Sequence, residues 1–240
     1  WKEDKVGVVY NAVPSPEQPG VKYEGPRPIC RLVVATMESW ETLGDHLSAT
    51  ADRRGYAKAR QKVCIGDGAQ ANRSARDRCF PDATLILDWI HAVEHLTQTA
   101  QAAFGPGPKA DDLTDRQQDH LWNGRLKAVI AAIGRLARQA GQPRPKSPVN
   151  DPKRVLAANL HYFKTNADAM NYPLFRRNGW PIGSGIVESA IKQIGKRVKG
   201  SEKHWGLSGV EATLQVVTHL ISDDGSWDSF WKRCPLAPAA

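Results

Sequence analysis

The chain has 240 residues, 41% hydrophobic and 24% charged, with 33 Lys and Arg against 25 Asp and Glu for a net charge of +8. That size and balance suit one large globular domain or two small ones. No apolar run approaches the ~20 residues of a membrane span, and no basic-then-apolar signal peptide opens the chain. The excess of positive charge points to a polyanionic partner, nucleic acid first. The four cysteines, Cys30, Cys64, Cys79 and Cys234, follow no CxxC spacing. This argues against a zinc site of the usual kind and for a reducing, cytosolic setting. Trp1 is not an initiator Met, so a fragment or a processed product is expected.

Lys5 to Val13 is β-branched and apolar, which predicts a strand. Residues 14 to 28 are rich in Pro and Gly and predict a loop or wide hairpin tip. Arg31 to Thr36 returns as a second strand, antiparallel to the first. Ser39 then precedes a helical pattern of Trp40, Leu43, Leu47 and Ala51, closed by Gly55. Lys62 to Ile65 reads as a short buried strand with Cys64 as a buried free thiol. It ends at Gly66-Asp67-Gly68-Ala69, and a short helix follows to Cys79. Ala83 to Leu87 is another short buried strand, ending at Asp88. Two strands thus each deliver an Asp at their C-terminal edge, where α/β sheets bind ligands. Asp67, between glycines, equally suits a turn. Asp88 equally suits the N-cap of the helix that follows.

From Trp89 to about Gln142 the pattern turns helical. Trp89, Ile90, Val93, Leu96 and Ala100 mark one helix, which carries His91 and His95 four apart. That is metal-ligand spacing without an HExxH frame, so packing or hydrogen bonding is the expected role. Gly105-Pro-Gly-Pro108 breaks the helix. A second is predicted from about Thr114 to Ala140 and a third from about Asp151 to Ala169, with a proline-rich linker between them. Tyr172 to Arg176 is predicted as extended. A Gly- and Pro-punctuated loop from Gly179 then meets a helix with Ser184 at its N-cap. Ile186, Val187, Ala190, Ile191, Ile194 and Val198 form its apolar face. Glu188 sits one turn in and Lys192 shares its side, with Lys196, Arg197 and Lys199 beyond. Alone, this is equally a surface helix with a Glu–Lys pair and cations that complement its dipole. A last helix with Val210, Leu214, Val217 and Leu220 leads to a tail with Trp227, Phe230 and Trp231. There is no internal repeat.

An acid at a strand end and a distant acid on a helix are what two-metal phosphoryl transfer uses. Two ions ~3.5–4 Å apart clamp the attacking and leaving oxygens, and Mg2+ takes carboxylates and water rather than sulfur or imidazole. Three carboxylates usually share the work, and the pattern nominates two. Here GDGA (66–69), FPDATLILDWIHAVEHL (80–96), LHYF (160–163), GWPIGSGIVESAIKQIGKRVKG (179–200), HWGLSGVEATL (204–214) and WDSFW (227–231) together resemble the DDE transposases of bacterial insertion sequences. The ISKra group, distantly Mutator-like, is the closest in pattern, and the resemblance runs from Lys5 to Trp231.

The resemblance implies a mixed α/β fold with an RNase H-like core. The core would be split between residues 1–88 and 171–240, with an all-helical insertion at 89–170 between the second and third catalytic acids. Asp67 and Glu188 would be those acids and would bind the metal. Asp88 and His91 would be accessory. Lys192, Lys196, Arg197, Lys199, Lys203 and Trp205 would face DNA. The implied cofactors are Mg2+ or Mn2+, two ions in an intact site. The implied partners are transposon ends and target DNA, with a homo-oligomer at full length in the bacterial cytoplasm, nucleoid-associated. His204 replaces the family's Arg, and RVKGSEKHW departs from the more usual RMKGSGMRW. The family's first Asp lies on a strand ahead of Lys5, and nothing in this chain fills that place; Asp4, beside Glu3, is a poor substitute. The first strand, its Asp and any N-terminal DNA-binding domain are therefore expected to be absent, and these 240 residues are not expected to transpose DNA alone. The alternatives are a non-catalytic DNA-binding remnant and an RNase H-like nuclease.

Overall fold

The structure is a computed structural model, and it describes residues 3–200 and 202–233; Cys234 lies outside them. Strand β1 (Lys5–Ala12) pairs antiparallel with β2 (Pro28–Thr36), Lys5 opposite Thr36 and Val9 opposite Leu32. Helix α1 (Trp40–Arg53) follows, with the Ser39 side chain accepting from the Thr42 N–H at its start. Strand β3 (Val63–Gly66) pairs parallel with β4 (Thr84–Leu87), Gly66 opposite Leu87. Parallel neighbours need a crossover, and α2 (Gln70–Cys79) provides it. The two pairs form separate two-stranded sheets. Mixed α/β architecture thus matches the sequence reading.

The middle of the chain is helical. It contains α3 (Trp89–Phe104), α4 (Pro108–Trp122), α5 (Leu126–Ala140), α6 (Pro152–Thr165) and the short α7 (Tyr172–Arg177). Helices α8 (Gly185–Val198), α9 (Leu207–Ile221) and α10 (Ser226–Arg233) complete the chain. Three expectations need correction. The single helix from Thr114 to Ala140 is two helices, because Gly124 takes φ 75° between them. The segment from Tyr172 is helical rather than extended. Asn171 caps it by accepting from the Leu174 N–H, and a proline stands in its first turn, where a missing N–H costs nothing. Strand β3 is half-buried throughout rather than buried, because only one of its edges is paired.

Three cores hold these elements. The largest joins Ile86 and Leu87 of β4 to Leu96, Leu121, Ile133 and Phe163 of the helical segment and to Tyr172 and Phe175 of α7. The second packs Ala190, Ile194 and Val198 of α8 and Val210, Leu214 and Val217 of α9 against Val33 and Ala35 of β2, with Val6 and Val8 of β1 alongside. The third lies under α1, where Ala51, Phe80 and Ala83 meet Val9, Leu47 and Cys64. Burial there pushes the Cys64 thiol up to about 11.

The arm between β1 and β2 is strapped to the far end of the chain. Ser15 N–H donates to the Gly179 carbonyl at 3.1 Å, and Glu17 N–H donates to that of Arg176 at 3.0 Å. The Glu17 carboxylate pairs with the buried Arg176 guanidinium at 3.0 Å. That guanidinium lies 3.7 Å from the Trp122 ring centre. Tyr23 donates its hydroxyl to the Trp180 carbonyl. Gly179 sits at φ 67°, and a Cβ there would come within 2.3 Å of the Ser15 nitrogen. Gly179→Ala is therefore expected to cost well over 2 kcal/mol, combining left-handed strain of about 1–2 kcal/mol with displacement of the arm. Gly20→Ala has the same backbone sign and open space around it, so it should cost about 1 kcal/mol. Urea unfolding of the two variants checks this, and equal losses would contradict the strap.

Candidate acid site at the strand ends

Parallel pairing in register carries Asp67 and Asp88 to the same end of the β3–β4 sheet, since Gly66 lies opposite Leu87 and neighbouring strands run ~4.8 Å apart. Asp67 closes a turn: its Oδ1 accepts from the Ala69 N–H and from Asn72 Nδ2, both at 2.8 Å. Its carbonyl accepts from the Tyr162 hydroxyl at 2.9 Å. Gly68 fits only as glycine, with φ 87° and Leu87 Cδ1 2.7 Å from where a Cβ would stand.

Asp88 is fully buried and spent on the backbone. Its Oδ1 accepts from the Ile90 N–H at 2.7 Å and the His91 N–H at 3.2 Å, capping α3. Its Oδ2 accepts from the Ser184 N–H at 2.6 Å, across 96 residues of chain. Two backbone bonds flank this carboxylate. Asp88 N–H donates to the Gly66 carbonyl and Trp89 N–H to that of Ile182, both at 2.8 Å. The loop before α8 is thereby fixed to the ends of both strands. Ser184 stands at the N-cap position, but its hydroxyl makes no cap bond. It donates instead to Glu188 Oε1 at 3.3 Å. Glu188 is half-buried, and no ion pair between it and Lys192 forms among the described residues. Asp67, Asp88 and Glu188 are therefore linked through paired strands, one backbone N–H and one hydroxyl.

Sequence reasoning missed Tyr162 as part of this site. Burial first, and then the charges of Asp67, Asp88 and Glu94, raise its hydroxyl well above the ordinary value. It also stacks on His95 at 3.7 Å. The signal was present in Leu160-His-Tyr-Phe163, but its partners lie on other elements. His95 packs as expected: its Nδ1 bonds Asn159 Oδ1 at 2.8 Å. His91 Nδ1 is buried without a hydrogen-bond partner, 3.7 Å from Asp88 Oδ1.

Asp4 does not join this site. Its buried side chain pairs with Lys199 at 2.6 Å. Lys199 lies eleven residues past Glu188, about 16 Å along α8 at 1.5 Å per residue. Asp88 has both oxygens occupied, which leaves Asp67 and Glu188. Among the described residues no three His, Cys, Asp or Glu side chains gather as a metal could use them.

The cations expected to face DNA divide into two groups. Lys192, Lys196 and Arg197 are exposed on α8. Lys192 and Lys196 continue the Glu188 face at successive four-residue steps. Lys203 instead donates to the Lys196 and Arg197 carbonyls at 3.0 and 2.8 Å. Trp205 Nε1 donates to the Val198 carbonyl at 2.9 Å. Lys203 and Trp205 thus satisfy carbonyls that the end of α8 leaves open, and Lys199 is held by Asp4.

Compared with family models, with curated proteins and with solved structures, the chain matches none.

Removing Asp88 leaves three backbone N–H groups without their acceptor. Asp88→Ala is expected to cost about 3 kcal/mol from the lost cap and the unsatisfied donors, read by chemical denaturation; a loss below about 1 kcal/mol would contradict the clamp. A second expectation concerns pH. Arg73 binds Asp168 in bidentate fashion at 3.0 Å and also reaches Asn166 Oδ1. Its hydrogen bond holds the Asp168 carboxyl below its ordinary value. A depressed folded-state value means that the pair's stabilisation is complete above the unfolded carboxylate value near ~4 and is lost as pH falls through the folded one. Arg73→Ala should flatten the loss of stability below about pH 4, measured by thermal melts across pH.

Proposed function

We propose that this chain is the DNA-handling core of a DDE-type transposase with an RNase H-like fold. One of the three acids is missing, so it binds DNA along α8 without cutting it alone. The observation that carries this reading is the linkage of Asp67 and Glu188 through Asp88 and Ser184 at the ends of two parallel strands. An exposed row of cations starts one turn beyond Glu188. That row would bring a phosphate backbone past the acids, and phosphate contacts give affinity without sequence reading. The resemblance in the GDGA and PIGSG–VES stretches adds the reaction class, strand cleavage followed by joining to a target.

A non-catalytic DNA binder is the second reading. It is favoured by the commitment of Asp88 to three backbone donors, which leaves two acids available. One pair of assays tests what the two readings share, DNA binding along α8 and the lack of cleavage by this chain alone. Binding of the 240-residue chain to duplex DNA, followed by fluorescence anisotropy, should weaken steeply with salt. Lys192→Ala, Lys196→Ala and Arg197→Ala should each reduce the salt slope by about 1. Lys203→Ala should lower stability more than it changes the slope. Absence of salt-dependent binding would overturn the DNA reading. In Mg2+ or Mn2+ the chain should leave the DNA uncut. Cleavage that disappears in Asp67→Ala and in Glu188→Ala would show a complete enzyme and overturn the claim of a missing acid.

A further inference from the structure

Charge is spread unevenly along this chain. Residues 125–154 hold eight Lys and Arg against a single acid, Asp151. Seven of the chain's eight surplus positive charges therefore lie on the hairpin of α5 and α6, and the rest of the chain nearly balances. Asp151 itself is occupied, accepting from the Lys153 and Arg154 N–H groups at the start of α6.

This hairpin is one side of a ring of four helices. Helix α3 packs on α4 and α6, and α5 packs on the same two. Helices α5 and α6 run antiparallel: a Cβ on Gly134 would stand 3.8 Å from Leu160 Cδ1, and one on Gly141 would stand 3.9 Å from Lys153 Nζ. The opposite side of the ring is acidic, with Glu94 on α3 and four aspartates on α4 against Lys109 and Arg116. Along the outer surface of the hairpin, Lys127, Arg135 and Arg138 are exposed on α5, and Lys153, Arg154 and Lys164 on α6. The small side chains of Ala131, Ala157 and Ala158 are the exposed ones in the middle of the two helices. Among the described residues, none of these six cations pairs with a carboxylate. Helix stability does not account for their positions either. Cations favour the last turn of a helix and oppose the first. Arg138 and Lys164 stand in last turns, but Lys127, Lys153 and Arg154 stand in first turns that carry no acid.

We propose that the α5–α6 face is a second nucleic-acid surface, separate from α8, that takes the phosphate backbone of duplex DNA. Lys127 to Arg138 covers about 16 Å at 1.5 Å per residue, and duplex DNA presents one charge per ~1.7 Å of axis, so the row meets several phosphates. The alanine floor has no group to read base edges, so the contact is independent of sequence. Single strands are held on aromatic platforms, and no Phe, Tyr or Trp is exposed on either helix. Duplex RNA is recognised through its 2′-hydroxyls, for which the alanines offer no partner. Helices α5 and α6 pack on the core of β4, whereas α8 packs on that of β1 and β2, so the two surfaces belong to different parts of the fold. The proposal rests on the distribution of charge and holds whether or not α8 and the acids handle DNA.

The test compares two variants of the 240-residue chain, using fluorescence anisotropy with a short DNA duplex across a salt series. One carries Lys127→Gln, Arg135→Gln, Arg138→Gln and Lys153→Gln. The other carries Lys192→Ala, Lys196→Ala and Arg197→Ala. The first should lower the salt slope by about 3–4, and the second should keep salt-dependent binding. An unchanged slope in the first variant would overturn this surface while leaving α8 as a DNA site, and so would loss of all salt dependence in the second. Tighter binding of a single strand or of duplex RNA than of the DNA duplex by the second variant would overturn the assigned partner. A further measurement needs no substitution. Bound duplex should slow acetylation of Lys127, Lys153 and Lys164 by at least threefold, read by mass spectrometry, and full reactivity of all three would overturn the proposal.

Discussion

The buried carboxylate of Asp88 ties the loop before α8 and the start of α3 to the end of β4. It takes one bond from the loop before α8 and two from the start of α3, and it sits where β4 ends. Burying a charge costs several kcal/mol unless donors surround it, so its three backbone donors make the position nearly obligatory. Every other feature of the acid site follows from it. Glu188 is joined to the site by the Ser184 hydroxyl, and Asp67 lies at the same sheet end as Asp88 because β3 runs in register with β4.

The same logic separates structural from functional charge on α8. A row of cations invites a single explanation, but the chain uses several of them on itself. Lys203 and Trp205 finish the C-terminal end of the helix, and Lys199 neutralises Asp4 at the start of β1. Lys192 and Lys196 are left to face outward, nearest to Glu188, and Arg197, also exposed, donates to the Gln193 carbonyl at 3.0 Å. The candidate DNA surface on α8 is thus smaller than its charge count implies, and it is concentrated beside the acids.

Much of this was legible in the sequence. The β-branched runs placed the strands to within three residues, β2 starting at Pro28 rather than Arg31, and the 3.6-residue periodicity placed most helices. Asp67 reads both as a turn residue and as a strand-end acid, and the structure gives it the turn's hydrogen bonds at the strand's end. Asp88 reads as an N-cap, which it is, but its bond to Ser184 spans 96 residues and no local pattern encodes it. Local rules failed where a signal was read too coarsely. Asn171 with Pro173 is a helix start in a segment whose pattern predicts extended chain, and Asn123-Gly124 is a helix break inside a continuous apolar stripe. The half-burial of β3 was invisible for a different reason. Its four residues look like a central strand, and whether a central strand is buried depends on a neighbour that the local sequence does not name.

The most direct measurement is proximity of the two acids. With the natural cysteines replaced, a chain carrying Asp67→Cys and Glu188→Cys is treated with a short bifunctional thiol crosslinker. The folded chain should crosslink within itself, the urea-unfolded chain should not, and adding Asp88→Ala should sharply reduce the yield. Failure of the folded chain to crosslink, or a yield indifferent to Asp88, would contradict the account that one buried carboxylate assembles this site.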